Sequence, residues 1–175
     1  MSRSLGEKRI LIVEDEYFIA QDMARAFRAL GARVFGPVAT AEAAMDLVRE
    51  QDVDVAVLDI HLRGGTVYPL ADLLLSHGVP FLFATGYDPA TVPQRYAQIR
   101  LCEKPVEPAS IAQMLAELAP ETERAGENLA YVIRKEGARW RWFVHRDGRR
   151  VDQGSAGSSI SARVAAFAAA MKWFR

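Results

Sequence analysis

At 175 residues, half hydrophobic and a quarter charged, the chain reads as soluble and globular rather than disordered, with room for one ordinary domain or one plus a small companion. A single cysteine, Cys102, excludes an intramolecular disulfide; with no signal-peptide core and no apolar run near the roughly 20 residues of a membrane span, a cytoplasmic protein without membrane contact is expected. The net charge of zero hides a split, ten basic and three acidic residues in 128–175 against twelve and nineteen before them, which predicts two units with different electrostatic roles.

In chain order, residues 10–13 form a short apolar run that fits a strand buried on both faces of a parallel sheet. A helical pattern follows, with Ile19, Met23, Ala26, Phe27 and Leu30 on one face and Gly31 past its end. Residues 33–36 read as a strand closed by Gly36-Pro37, and Thr40 as the N-cap of a second helix. Residues 53–58 are the next apolar strand, 67–76 a helix ended by Gly78, and 81–84 a fourth strand. A short helix is expected within 91–98, then a fifth strand at 100–103 and a fifth helix over 108–119. Strand and helix alternate five times, which predicts a doubly wound five-stranded parallel α/β sheet.

Ligands of such sheets bind beyond the carboxyl ends of the strands. Glu14 and Asp15 follow the first strand, Asp59 the third, Thr85 ends the fourth and Lys104 follows the fifth. Two unit charges about 4 Å apart repel by roughly 4 kcal/mol at an effective dielectric near 20, so three crowded carboxylates call for a cation. Oxygen ligands with room for water suit Mg²⁺. Mg²⁺ with Lys104 would neutralise a phosphoryl group passing to a carboxylate, and Asp59, on the central strand, is the best acceptor. Thr85 would hydrogen-bond a phosphoryl oxygen and Lys104 would pair with another. Each element has a bland reading alone: an acid pair after a strand is common, a lone Asp is often an N-cap, and a Lys before Pro is usually surface. The ordered combination is what carries the assignment.

With Glu14-Asp15, Asp59, Thr85 and Lys104-Pro105 in place, residues 8–120 resemble the receiver domain of bacterial two-component response regulators. The resemblance implies a flavodoxin-like fold with strand order 2-1-3-4-5. It implies phosphotransfer to Asp59 from a sensor histidine kinase, and Mg²⁺ held by Asp15, Asp59 and the backbone carbonyl of His61, with Glu14 acting mainly through water. Many receivers carry an aromatic residue three positions before the lysine; here that residue is Leu101. The stretch PFLFATGYD instead resembles a receiver subgroup marked by a Phe-Ala-Thr-Gly-aromatic motif, several members of which work with kinases of the HWE type. That subgroup implies a switch at Gly86 and a loop over 86–98 that orders on phosphorylation, with Pro89 and Pro93 weakening any helix there. Tyr87 is a candidate gate over the phosphoryl group or a packed aromatic. His61 reads as a surface histidine or as a tuner of phosphoryl lifetime. His77 and His145 read as surface, and Cys102 as a buried small hydrophobe.

Residues 123–128 read as a linker between a receiver domain over 1–122 and a module over 129–175. There the periodicity becomes two. Strands are expected around Tyr131, over Trp140 to His145 and over 149–153, with Asp147-Gly148 as a hairpin turn. A last helix, near 161–173, is expected to turn Ile160, Val164, Phe167 and Met171 onto this β-β-β-α sheet. The other sheet face would stay open, bearing Arg134, Arg141, Phe143 and His145. That face suggests contact with a downstream protein partner or, as the alternative, DNA. The small sheet-reading DNA-binding domains of integrases and ethylene-response-type factors are similar in pattern. A homodimer formed on phosphorylation is a further expectation. Haloacid-dehalogenase-type phosphatases also use Asp, Mg²⁺, Thr and Lys, but with the nucleophile after strand one. Here the acceptor follows strand three, so the chain is not expected to be an enzyme.

Overall fold

The computed structural model describes residues 5–86, 89–126, 129–147 and 149–173, with the backbone alone at 89 and 121–126. The chain divides into two compact units, residues 1–119 and 120–175.

In the first unit, β1 (Arg9–Val13), β2 (Arg33–Val38), β3 (Val55–Leu58), β6 (Phe81–Thr85) and β7 (Arg100–Glu103) form one parallel sheet in the order β2-β1-β3-β6-β7. The strands β4 (His61–Leu62) and β5 (Gly65–Thr66) make a separate small hairpin. Set it aside and the order is the expected 2-1-3-4-5. The helices are α1 (Tyr17–Ala29), α2 (Ala41–Glu50), α3 (Tyr68–Ser76) and α4 (Pro108–Leu118). Because β1, β3 and β6 are covered on both faces, they are apolar at nearly every position, and alternate residues feed two cores. Leu11, Val13, Ala56, Leu58, Phe81 and Phe83 join α2 and α3 on one side. Ile10, Ile12, Val55, Val57, Leu82 and Ala84 join α1 and α4 on the other.

The short helix expected within 91–98 is instead two single 3₁₀ turns, Pro89–Thr91 and Gln94–Tyr96. Pro93 precedes the second turn and blocks a continuous helix. Tyr96 pins the segment down. It is buried, stacked on Tyr68 at 5.2 Å between centroids and edge-on to Phe83 at 5.6 Å, and its hydroxyl donates to Asp72 Oδ1 at 2.7 Å.

The second unit is a four-stranded antiparallel sheet, in the order β11-β10-β9-β8, with one helix. Its elements are β8 (Glu121–Gly126), β9 (Leu129–Glu136), β10 (Arg139–Arg146), β11 (Arg149–Ala156) and α5 (Ser159–Met171). The expected linker and three-stranded module are both corrected: residues 121–126 are a fourth strand, with Thr122 opposite Val132 and Glu123 opposite Tyr131. An edge strand tolerates charge because only one side is paired, so its composition resembles that of a linker.

The expected facing of α5 is corrected for all but Phe167. Ala162, Ala166, Ala169 and Ala170 are buried against Tyr131, Ile133, Trp142 and Val144, while Ile160, Val164 and Met171 point outward and Phe167, half exposed, meets the Tyr131 ring edge-on at 6.4 Å. The sheet supplies the bulk, so small residues let the helix approach closely. Gly154 shows how tight the sheet side is: a Cβ there would lie 2.3 Å from the Trp142 ring carbon Cζ2. The helix begins at a capping box between Ser158 and Ser161. At the hairpin turn, Asp147 sits at φ 51°, and Gly148 lies outside the described residues.

Candidate functional site

The site residues lie at or just past the ends of sheet strands, and Glu14, Asp59 and Lys104 are each fixed there by a backbone bond to the neighbouring strand. The Glu14 N–H donates to Val38 O at 2.9 Å, the Asp59 N–H to Val13 O at 2.8 Å and the Lys104 N–H to Thr85 O at 2.9 Å. Parallel strands in register thus bring side chains 90 positions apart onto one rim.

There Lys104 Nζ donates to Glu14 Oε2 at 2.6 Å and to Asp59 Oδ2 at 2.7 Å. Glu14, Asp59 and Thr85 are buried and Lys104 is nearly so. Asp15 is partly exposed, with Arg63 Nε 3.8 Å from its Oδ2. The second oxygens are held as well: Glu14 Oε1 accepts from the Glu16 N–H at 3.1 Å and Asp59 Oδ1 from the His61 N–H at 3.3 Å. Glu14 to Glu16 stand just before α1, where the positive end of the helix dipole favours acids.

Burial raises the Glu14 carboxyl above its ordinary value, against the lowering influence of Lys104 and the Glu16 N–H. Burial pulls the Lys104 ammonium down, but its bonds to Asp59 and Glu14 outweigh this and hold it above the usual lysine value. One cation therefore balances a cluster that remains net acidic.

Glu14, Asp15 and Asp59 each place a carboxylate oxygen within 4.8 Å of the others. Oxygen-only donors, one of them open to solvent at Asp15, fit a hard divalent cation that keeps some of its water. His61 is exposed in β4, and its main chain approaches Asp59. Gly86 is exposed, with no heavy atom within 4 Å of where a Cβ would stand. Tyr87 lies outside the described residues. Cys102 is buried, with its Sγ 3.4 Å from Met114 Sδ.

The face expected to be open in the second unit differs from that expectation. Phe143 and His145 are buried, and Arg134 and Arg141 half-buried. The guanidinium groups of Arg134, Arg141 and Arg150 lie 5.3, 5.4 and 5.6 Å from the Phe143 ring centre. Cations cover the aromatic ring rather than alternating with it, because cation–π contact is favourable on the ring face. Arg150 was missed in the sequence, since the irregularity between Val144 and His145 shifts it onto this face. Tyr96 was missed too. An aromatic between two prolines gives no periodic signal. Tyr17 and Phe18, an exposed edge-to-face pair, open α1 directly after Glu16 in the chain.

Residues 10–116 match the family profile of the response regulator receiver domain. The chain is 31% identical over 112 residues to the phyllosphere-induced regulator PhyR of Methylorubrum extorquens, covering 62% of this chain and 42% of that protein. It thus spans less than half the length of that curated relative. The solution structure of SdrG from Sphingomonas melonis Fr1 is 35% identical, with a TM-score of 0.57 over 64% of this chain and 96% of SdrG. The BeF3-activated conformation of SdrG, also 35% identical, gives 0.55 over 68% of this chain and 100% of SdrG.

Proposed function

The chain belongs to the response regulator receiver domain family, and from that premise we propose that it accepts a phosphoryl group on Asp59 from a sensor histidine kinase and signals through its second unit. The observation that carries this reading is the Lys104 ammonium bridging Glu14 and Asp59 at the strand ends. In the reaction a carboxylate oxygen of Asp59 attacks phosphorus, the nitrogen–phosphorus bond of the kinase's phosphohistidine breaks, and an acyl phosphate forms. Mg²⁺, held by Glu14, Asp15, Asp59 and the His61 carbonyl, would supply charge neutralisation of the phosphoryl oxygens. Lys104 turns from the Asp59 carboxylate to a phosphoryl oxygen, and Thr85 offers its hydroxyl to another. Phosphorylation adds about 1.5–2 negative charges, enough to redraw both contacts.

The finer points rest on narrower support. The Phe83-Ala84-Thr85-Gly86-Tyr87 stretch favours an HWE-type kinase, and the exposed Tyr17 and Phe18 beside the acids offer it a landing surface. Residues 86–98 are the switch segment, with Tyr96 as its fixed end. Output passes through protein contact. Nucleic acid is the second reading, favoured by the three arginines around Phe143, but those same arginines deny bases the ring as a stacking platform. Homodimerisation on phosphorylation belongs to this reading, and catalytic turnover of a small substrate does not.

The test is intact mass after acetyl phosphate and Mg²⁺, with wild type beside Asp59→Asn. One Mg²⁺-dependent phosphoryl addition, lost in the variant, is expected. No addition to wild type, and none in the presence of a cognate kinase, overturns the reading.

A further inference from the structure

Helix α5 carries two apolar faces, and its own sheet covers mainly one. The buried face is made of Ala162, Ala166, Ala169 and Ala170. On the opposite side Ile160, Val164, Phe167 and Met171 are 73%, 65%, 48% and 43% exposed, with Phe167 touching the sheet through one edge-on contact with Tyr131. They succeed one another at intervals of 4, 3 and 4 residues, a straight stripe on a 3.6-residue helix. A patch of this kind is about as large as any a monomer exposes, and such patches often serve a function. From the geometry we infer that this stripe is the docking surface for a second copy of the same chain, with two α5 helices packed antiparallel about a two-fold axis.

Three features select a second copy over another partner. The first is symmetry. The spacing 4-3-4 reads the same in both directions, so an antiparallel pairing sets Ile160 against Met171 of the other copy and Val164 against Phe167. A self-complementary patch is what an isologous interface requires. The second is charge. The helix carries one charged residue, Arg163, and Lys172 follows it. In this register Arg163 meets Ala168 and Lys172 meets Ser159, so no two cations face each other. A helix suited to a lipid surface would carry a basic polar face, and this one does not. Each helix N-terminus also lies beside the C-terminus of its partner, which aligns their dipoles favourably. The third is area. With the exposures just given, the four side chains and their flanking alanines offer on the order of 500 Å² per copy, about 1,000 Å² for the pair, which only reaches the lower bound for a specific interface. An interface at that lower bound belongs to the weak, reversible class.

The test uses the full chain without a phosphodonor. Sedimentation equilibrium of wild type is expected to show a monomer–dimer equilibrium. Val164→Glu should raise the Kd by at least about tenfold, with its circular dichroism unchanged because Val164 lies outside the core. For orientation, chains bearing Ile160→Cys and chains bearing Met171→Cys are oxidised separately and mixed. Antiparallel pairing predicts a disulfide dimer in the mixture and none in either alone. Wild type, whose cysteine is the buried Cys102, is the control. A wild type that stays monomeric up to about 100 µM, where a weak specific pair would be populated, overturns the proposal. So does a dimer that survives Val164→Glu, which places the contact elsewhere, or cross-linking of each single variant with itself, which means parallel pairing. Monomeric wild type that floats with anionic vesicles assigns the stripe to lipid instead. Phosphorylation enters none of these measurements, so their failure is separate from that of the receiver reading.

Discussion

Lys104 does at rest part of what a metal would do in the loaded site: its single charge is shared between Glu14 and Asp59. Replacing it with methionine leaves two buried carboxylates without their shared cation. Breaking a buried pair on one side costs about 3–5 kcal/mol. Lys104→Met should therefore lower the Tm in chelator, and added Mg²⁺ should recover more of it than in wild type; equal Mg²⁺ increments in both proteins would contradict this. The pH dependence follows from the same pair. The Glu14 carboxyl is raised by burial, so the folded state takes up its proton at a pH where the unfolded chain has not. Acidification through that window stabilises the metal-free fold and removes a ligand. Mg²⁺ affinity, followed by titration, should thus begin to fall at a pH above the ordinary glutamate range, and Glu14→Gln should abolish that early fall. On the alkaline side Lys104 is raised from 10.5, so its ion pairs contribute fully below that value and are lost only as pH climbs through the higher folded one. These residues were legible in the sequence because chemistry at strand ends leaves a mark: each functional side chain follows an apolar run. Tyr96 and Arg150 left none. One is set by packing against Tyr68, the other by an irregularity in the β10–β11 pairing.

Among elements, legibility tracked how many ways a residue type can be used. Continuous apolar runs such as Val55–Leu58 have one use, a strand buried on both faces, and so they read directly. Alanine has two. In α5 it fits an exposed face or a close-packed one, and the large residues at helical spacing drew the assignment to the wrong side. Charged residues in β8 likewise suit an edge strand or a linker. The Gly154–Trp142 contact decides the α5 case, because the indole lies across β11 where a side chain would otherwise stand. Gly154→Val should lower the stability of the second unit by about 1–3 kcal/mol through overpacking. Chemical denaturation followed by tryptophan fluorescence checks this; an unchanged midpoint would mean the indole can move aside.

At the scale of the whole molecule, each unit has its own core, so each can fail alone. The first unit is clamped at both ends of β1 and β3. Opposite the acidic rim, buried Asp54 accepts from the Arg9 N–H at 2.9 Å, from Nε at 3.0 Å and from Nη2 at 2.9 Å. Asp54→Ala leaves the nearly buried Arg9 guanidinium with Asp52, 3.6 Å away, as its remaining carboxylate among the described residues, and should cost about 3–5 kcal/mol. Calorimetry should then show one transition moved down and the other in place; a common shift of both would mean the units unfold together. Asp54 was absorbed into an apolar run in the sequence because one acid beside Val53 and Val55 does not announce its distant partner.

The division of labour along α5 also bears on how such a protein changes over generations. Its folding rests on alanines and a serine cap, while Ile160 and Val164 stand almost wholly outside the core. Single substitutions at those outward positions can rewrite what the helix touches and leave the fold intact. The surface is therefore free to drift, to be lost or to be recruited anew, at a rate the receiver's crowded rim does not share.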